Sequence, residues 1–162
     1  MPYYLTVPGM WVSFSLVTNC MFFPPCSGYL GVDNVVALGS VLADASDCGV
    51  GLVIANFANL SSYNQCLKGR FESEGYNPLT YEQNWRSGTP LKLGKVHSTT
   101  HPIMSQVQTF AGGSYSGYVE CKVQSYAKAI AEWSNGCILI AECDNPYVRS
   151  RTNGNVESKL LS

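Results

Sequence analysis

The chain has two histidines, His97 and His101, whose type and spacing could support chemistry. Four residues apart on one helix, they would share a face and could bind a metal ion. The intervening Ser-Thr-Thr and the following Pro102 instead predict a loop, and no carboxylate or cysteine lies near enough in sequence to complete a ligand set. The sequence therefore predicts no metal site. It favours histidines that act as hydrogen-bonding or ligand-contacting groups.

Acid–base catalysis would need a histidine and a carboxylate in contact. Either histidine could serve, with Glu72 or Glu74 as the carboxylate, since both lie in the polar segment before the histidines. Spacing alone does not bring these groups together, so an acid–base enzyme stays open as an alternative at this point.

A catalytic nucleophile is not indicated. Cys66 lies close in sequence to Lys68 and Arg70, whose positive charges could favour its thiolate, but nothing marks a partner base. Residues 112–116 read G-G-S-Y-S and fail the last position of a serine-hydrolase elbow. Residues 49–51 lack the third glycine of a dinucleotide fingerprint. We therefore predict no catalytic residue and no cofactor.

Seven cysteines are spread along the chain, and no two have the C-x-x-C spacing of zinc knuckles or redox motifs. Their odd number and apolar neighbourhoods favour structural free thiols in a reducing compartment, which is the cytoplasm for the chain as given. If the chain is a fragment of a larger exported protein, a secreted location with a few disulfides is the alternative.

The composition restricts the classes of partner that the chain could bind. Only 13% of the 162 residues are charged and the formal net charge is −1, so no field attracts nucleic acid. No apolar stretch approaches the roughly 20 residues of a membrane span. The length predicts a single α/β domain over residues 1–162, with its core in 11–143 and a polar tail in 144–162.

The elements that would position the candidate residues follow in order. Residues 11–18 (WVSFSLVT) predict a strand, Asp33 can cap a helix with apolar residues at helical spacing, and Gly49 can end it. Residues 50–55 (VGLVIA) predict a central strand that is covered on both faces. Residues 127–142 predict a β-hairpin with Asn135 and Gly136 in a type I′ turn.

In open α/β sheets the ligand crevice lies at the carboxyl ends of the strands. That rule places the crevice at Asn56 and Phe57, under a long polar loop over residues 57–95. The candidate ligand-binding residues are Asn56, Phe57, Asn59, Arg70, His97 and His101.

Several pieces of the chain, in the same order, resemble one family. They are residues 37–44, 51–59, 69–71, 101–104 with 112–114, and 131–136. Together they are similar to class I glutamine amidotransferase-like domains, and more closely to the trehalose-utilisation type. The resemblance implies a flavodoxin-like three-layer sandwich with a mainly parallel sheet and the C-terminal hairpin. It also implies that the chain is incomplete at both ends.

The same resemblance bears on function. The family's catalytic cysteine would fall near Asn56, so the thiol is absent and the resemblance implies a non-catalytic domain that binds a small molecule, a carbohydrate or a protein partner. A carbohydrate-acting hydrolase or isomerase is one alternative, and an inactive truncated remnant is another. A sheet that lacks a strand exposes an edge, which predicts a homodimer.

Overall fold

The computed structural model describes residues 20–23, 33–54, 56–62, 66–88, 90–114 and 117–152. For residues 20–23, 56, 57, 151 and 152 it describes the backbone alone. The predicted strand over residues 11–18 and most of the predicted polar tail lie outside these ranges.

Seven strands and three α-helices make up the described secondary structure. In chain order they are β1 (Cys20–Phe23), α1 (Val35–Asp47), β2 (Gly51–Ile54), α2 (Arg70–Ser73), β3 (Trp85–Ser87), β4 (Leu93–Val96), β5 (Gly117–Val119), β6 (Lys128–Trp133), β7 (Ile138–Glu142) and α3 (Pro146–Thr152). Short 3₁₀ helices occupy Asn56–Asn59 and Pro102–Met104.

The strands form three small sheets. β1 and β2 pair in parallel, β3 and β5 pair antiparallel, and β6 lies between β4 and β7 in an antiparallel three-stranded sheet. The predicted flavodoxin-like three-layer sandwich is therefore wrong. Within the described residues, parallel pairing is limited to β1 with β2 and one isolated bridge between Leu60 and Glu82.

Helix α1 forms close to where the sequence predicts it. Its N-cap is Asn34 rather than Asp33, and the Asn34 side chain accepts the N–H of Ala37 at 2.8 Å. At the other end Gly49 adopts a φ of 88°, which glycine reaches without strain, and its N–H donates to the carbonyl of Ser46. The prediction that the helix ends at Gly49 is confirmed, and β2 begins two residues later.

The apolar residues bury themselves in three clusters. The first cluster joins α1 to α2 and to the residues that precede α2. Its central residues are Leu42, Leu67, Phe71 and Tyr76. A second lies under β3 and β5, and a third packs Met104 against the β4–β6–β7 sheet. Strand β2 alternates between exposed and half-buried residues, so the prediction that it is a central strand covered on both faces is wrong.

Two local predictions need correction. The segment over residues 57–95 is not one long loop, since it contains α2, β3 and β4. The β6–β7 hairpin is present, but only Gly136 of its turn has a positive φ, whereas a type I′ turn requires two. The Gly136 N–H donates to the Trp133 carbonyl at 2.9 Å, the pattern of a longer turn ending in a left-handed glycine.

No helix among the described residues is long and apolar enough to cross a membrane.

Candidate functional site

A cleft of about 1010 Å³ lies between β2 and β7. Residues 49–54 form one wall and residues 139–145 form the other. The remaining described lining residues come from the end of α1, the two 3₁₀ helices with the residue before the second, the 76–79 segment and the start of α3. They are Ser46, Asp47, Asn59, Tyr76, Asn77, Pro78, Leu79, His101, Ile103, Tyr147 and Val148.

The walls of the cleft are strand edges. Successive side chains of a strand point to opposite faces, so a pocket on one face is lined by every second residue. Here every residue of 49–54 and of 139–145 lines the space. In the described sheets β2 pairs only with β1 and β7 only with β6. Consecutive residues of both strands therefore border the cleft, and no described strand pairs with the second side of either one.

A pair of buried amides, Asn59 and Asn77, lies in the cleft lining, with 5% and 3% of their surfaces exposed. The Asn77 Oδ1 accepts the N–H of Leu79 at 3.1 Å, so its Nδ2 must be the group that donates to Asn59 Oδ1 at 2.6 Å. This chain of bonds fixes the Asn59 orientation. No group in the described part of the chain accepts a hydrogen bond from Asn59 Nδ2, and a buried donor without a partner is rare in folded proteins.

His101 lies at another point of the lining and uses both ring nitrogens. Its Nδ1 accepts the N–H of Ile103 at 3.2 Å, which begins the short 3₁₀ helix. The proton is therefore on Nε2, which lies 2.8 Å from Glu142 Oε2 and donates to it. With both nitrogens bonded, the imidazole is held as a structural and hydrogen-bonding group.

Asp47, at the end of α1, is held from three sides. Its Oδ1 accepts the Tyr76 hydroxyl at 2.6 Å and the Asn145 amide at 3.0 Å. Its Oδ2 accepts Arg70 at 2.9 Å. Burial raises the pKa of Asp47, but the hydrogen bonds from Tyr76, Asn145 and Arg70 outweigh it, so the net pKa is lowered. The carboxylate is thus a fixed anion.

Arg70 contacts Asp47 but is not itself among the described lining residues of the cleft. Besides Asp47 it pairs with Asp44 and with Glu74, the last at 2.9 Å, and its guanidinium carbon lies 5.8 Å from the Tyr76 ring centre. The sequence predicts Arg70 as a ligand contact. Its guanidinium is instead taken up by three carboxylates, so it positions Asp47 and Tyr76.

The contribution of Asp47 to the free energy of unfolding should depend on pH. A carboxyl whose folded pKa is depressed stabilises the fold fully above its unfolded value, here 3.8, and the contribution is lost as the pH falls through the lower folded pKa. We expect the unfolding free energy of the Asp47→Asn variant to be below wild type near neutral pH. Below about pH 4 the two should converge. Chemical denaturation at a series of pH values measures both.

The matched control is Asp144→Asn, because Asp144 is exposed and no described group donates to its carboxylate. That variant should follow the wild-type pH profile. A constant difference between Asp47→Asn and wild type down to the most acidic pH would contradict the depressed pKa.

His97 is not among the lining residues of the cleft. It follows β4, and its Nε2 lies 2.6 Å from Glu132 Oε1 on β6. The predicted acid–base partners do not meet the histidines. Glu74 pairs with Arg70, and Glu72 lies 3.9 Å from Lys68. The carboxylates that meet histidines, Glu132 and Glu142, belong to the hairpin.

Cys66 lacks the character of a nucleophile. It is 1% exposed, and burial raises its pKa more strongly than the nearby Lys68 lowers it. Burial also raises the pKa of Cys121 to about 12, with Glu82 acting in the same direction. Lys68 favours the Cys66 thiolate, as the sequence suggests, but burial outweighs this effect and keeps the group a thiol.

Thiol alkylation should separate the cysteines in the order of their access. The five cysteines whose side chains the structure describes are free, and Cys48 is exposed, whereas Cys66 and Cys121 are buried. We expect iodoacetamide at mildly alkaline pH to modify Cys48 at least about a hundredfold faster than Cys66 or Cys121, because only the exposed thiolate reacts. Peptide mapping by mass spectrometry gives the rates. In denaturing urea the rates should become similar, and a native rate at Cys66 equal to that at Cys48 would contradict this assignment.

The candidate residues are thus divided. Asn59 and His101 line the cleft, Arg70 supports it, and His97 lies elsewhere. Asn56 and Phe57 begin the 3₁₀ helix that ends at Asn59, directly after the β2 wall. Sequence reasoning missed other lining residues, because each depends on a partner far away in the chain. These residues are Asp47, Tyr76, Asn77, Glu142 and Asn145.

Among the described residues, no group of three His, Cys, Asp or Glu side chains is arranged so that it could hold a metal ion.

No protein-family model, curated protein or solved structure matches the chain. The resemblance to amidotransferase-like domains therefore stays a prediction from its motifs, and the sandwich that it implied does not form.

Proposed function

We propose that the chain is a binding module that holds a ligand in the β2–β7 cleft without transforming it. The observation that carries the proposal is the Asn59 amide. A buried donor without a partner costs about 1–3 kcal/mol. A ligand that supplies an oxygen acceptor to Asn59 Nδ2 would satisfy this donor on binding.

The polar groups that line the cleft favour binding of a ligand over its chemical transformation. The nitrogens of His101 are both bonded within the protein, and the Asp47 carboxylate accepts three donors. The Cys143 thiol donates to the Tyr76 carbonyl at 3.3 Å, and burial raises its pKa despite the opposing effect of Arg149. Groups held in this way present hydrogen bonds of fixed direction, which suits recognition better than proton transfer.

The chemistry of the lining also selects the ligand. No lysine or arginine occurs among the lining residues that the structure describes, whereas Asp47, Glu142 and Asp144 do. Phosphates and organic acids would meet no positive charge there. The favoured ligands are neutral or cationic, with oxygen acceptors for Asn59 and O–H or N–H donors for the carboxylates. Sugars and peptides both meet this description.

A titration followed by NMR tests the proposal, with a panel of sugars, small organic acids and short peptides. At least one sugar or peptide should shift the side-chain amide signals of Asn59. Replacing Asn59 by Asp removes the Nδ2 donor and keeps the acceptor for Asn77. It should weaken that ligand about tenfold or more, the worth of one good hydrogen bond.

The control is Asn84→Asp, the same change at an exposed position, which should leave the affinity unchanged. A second variant, Val53→Trp, places bulk at the 38% exposed cleft residue, and Val41→Trp on the outer face of α1 is its control. If no member of the panel binds, the proposed binding function is contradicted and the alternative of an inactive remnant is favoured. Turnover of a sugar that is lost in His101→Ala would favour the carbohydrate-acting alternative, because His101 and its partner Glu142 line the cleft.

A further inference from the structure

We infer that the ligand of the β2–β7 cleft is an extended peptide that carries a lysine or arginine and inserts as a strand between β2 and β7. This inference rests on the proposed binding function and names the class of its ligand.

The backbone edges of the cleft support a peptide. An extended segment that joins a sheet edge is recognised through main-chain hydrogen bonds, with side-chain pockets adding specificity. The two walls are runs of consecutive residues from β2 and β7, and each of these strands has one edge unpaired among the described strands. In a peptide that lies between the two strands, one alternate set of backbone amides could hydrogen-bond to β2 and the other set to β7.

Asn59 and the size of the cleft agree with this occupant. A peptide carbonyl is a suitable acceptor for the unpaired Asn59 Nδ2. The volume of about 1010 Å³ is at the top of the range for small-molecule pockets, roughly 300–1,000 Å³. A single small sugar would leave much of this space filled with water, whereas an extended peptide would follow its length.

The side chains around the cleft specify the peptide further. Val53 and Ile103 line it with 38% and 46% of their surfaces exposed, and they offer apolar contacts to alternate peptide side chains.

Charge complementarity selects the basic residue. The described lining contains the carboxylates of Asp47, Glu142 and Asp144 and no lysine or arginine. Arg70 donates to Asp47, and Arg149 donates to the backbone carbonyl of Asp144, so two guanidinium groups offset part of this negative charge. Asp144 is exposed on the wall that contains Glu142. A lysine or arginine on the peptide would meet these charges, and an acidic peptide would be repelled.

Selection from a displayed library of random short peptides on the full chain tests the inference. The enriched peptides should alternate apolar residues and contain lysine or arginine. In synthetic copies, N-methylation of a backbone amide removes one main-chain donor. Methylation at either alternate set of positions should weaken binding about tenfold per site, because each set would pair with a different wall.

Two protein variants check the location and the charge. Val53→Trp, which fills the cleft without changing its charge, should weaken the selected peptides about tenfold or more. Asp144→Lys should weaken basic peptides by a similar factor, whereas Asp33→Lys, the same charge change at an exposed residue before α1, should have little effect. Selected peptides that bind both cleft variants as well as wild type would overturn the inference.

The remaining outcomes separate this inference from the proposed function. If only one alternate set of amides matters, the peptide adds to a single edge and insertion is wrong. If a sugar binds at Asn59 and no peptide is enriched, the peptide class is wrong and the binding function stands. If the chain dimerises by light scattering and the Asp144→Lys variant is monomeric, a second copy occupies the cleft and the peptide inference fails.

Discussion

Replacing Phe71 by alanine is expected to lower the unfolding free energy by about 3–5 kcal/mol. Phe71 is 1% exposed and lies in the cluster that joins α1 to α2. Its ring stacks on Tyr76 with 6.1 Å between centroids. The substitution would open a cavity where both helices meet, and a four-residue helix such as α2 has little stability of its own to close it.

The control for Phe71 is Phe110→Ala. Phe110 also contacts an aromatic ring, that of Trp133 at 5.5 Å, but it is 48% exposed. Its loss should cost about 1 kcal/mol or less, the worth of an exposed aromatic pair. Urea denaturation of both variants gives the comparison. Equal losses would show that the α1–α2 cluster is not a principal core of the fold.

Replacing Gly39 by alanine is expected to destabilise the protein by about 1–3 kcal/mol, although alanine is the better helix former by roughly 1 kcal/mol. A Cβ at position 39 would overlap the backbone carbonyl of Lys68, which rigid backbone cannot relieve. The helix would have to move away from the segment that leads into α2. That movement would separate Arg70 from Asp44 and Asp47.

Val41→Ala provides a test of opposite sign in the same helix. Val41 is 52% exposed, so the change removes little packing and replaces a β-branched residue by a better helix former. This variant should be slightly more stable than wild type, by a few tenths of a kcal/mol. If Gly39→Ala stabilises the protein as well, then α1 does not approach Lys68 as closely as the structure has it.

Local signals in the sequence predict the elements better than their assembly. The helix before Gly49 and the hairpin around Gly136 follow from glycine, capping and periodicity within a few residues. The apolar run over residues 50–55 is equally compatible with a covered central strand and with an edge strand, because pairing depends on residues far away in the chain. The resemblance then implied a mainly parallel sheet, whereas among the described strands only β1 and β2 pair in parallel.

The site shows the same limit. Asn59 and His101 were identified from the sequence, and both line the cleft. Their partners Asn77 and Glu142 lie 18 and 41 residues further along the chain, and nothing local marks them. Arg70 was predicted as a ligand contact, and its pairing with the carboxylates of α1 was not foreseen because it depends on the contact between α1 and α2.

The most direct measurement of the central claim is a crystal structure of the chain with the tightest ligand from the titration panel. We expect a ligand oxygen within hydrogen-bond distance of Asn59 Nδ2, in a cleft still bounded by β2 and β7. A ligand bound elsewhere on the surface, or an Asn59 amide already paired with the protein's own groups, would contradict it.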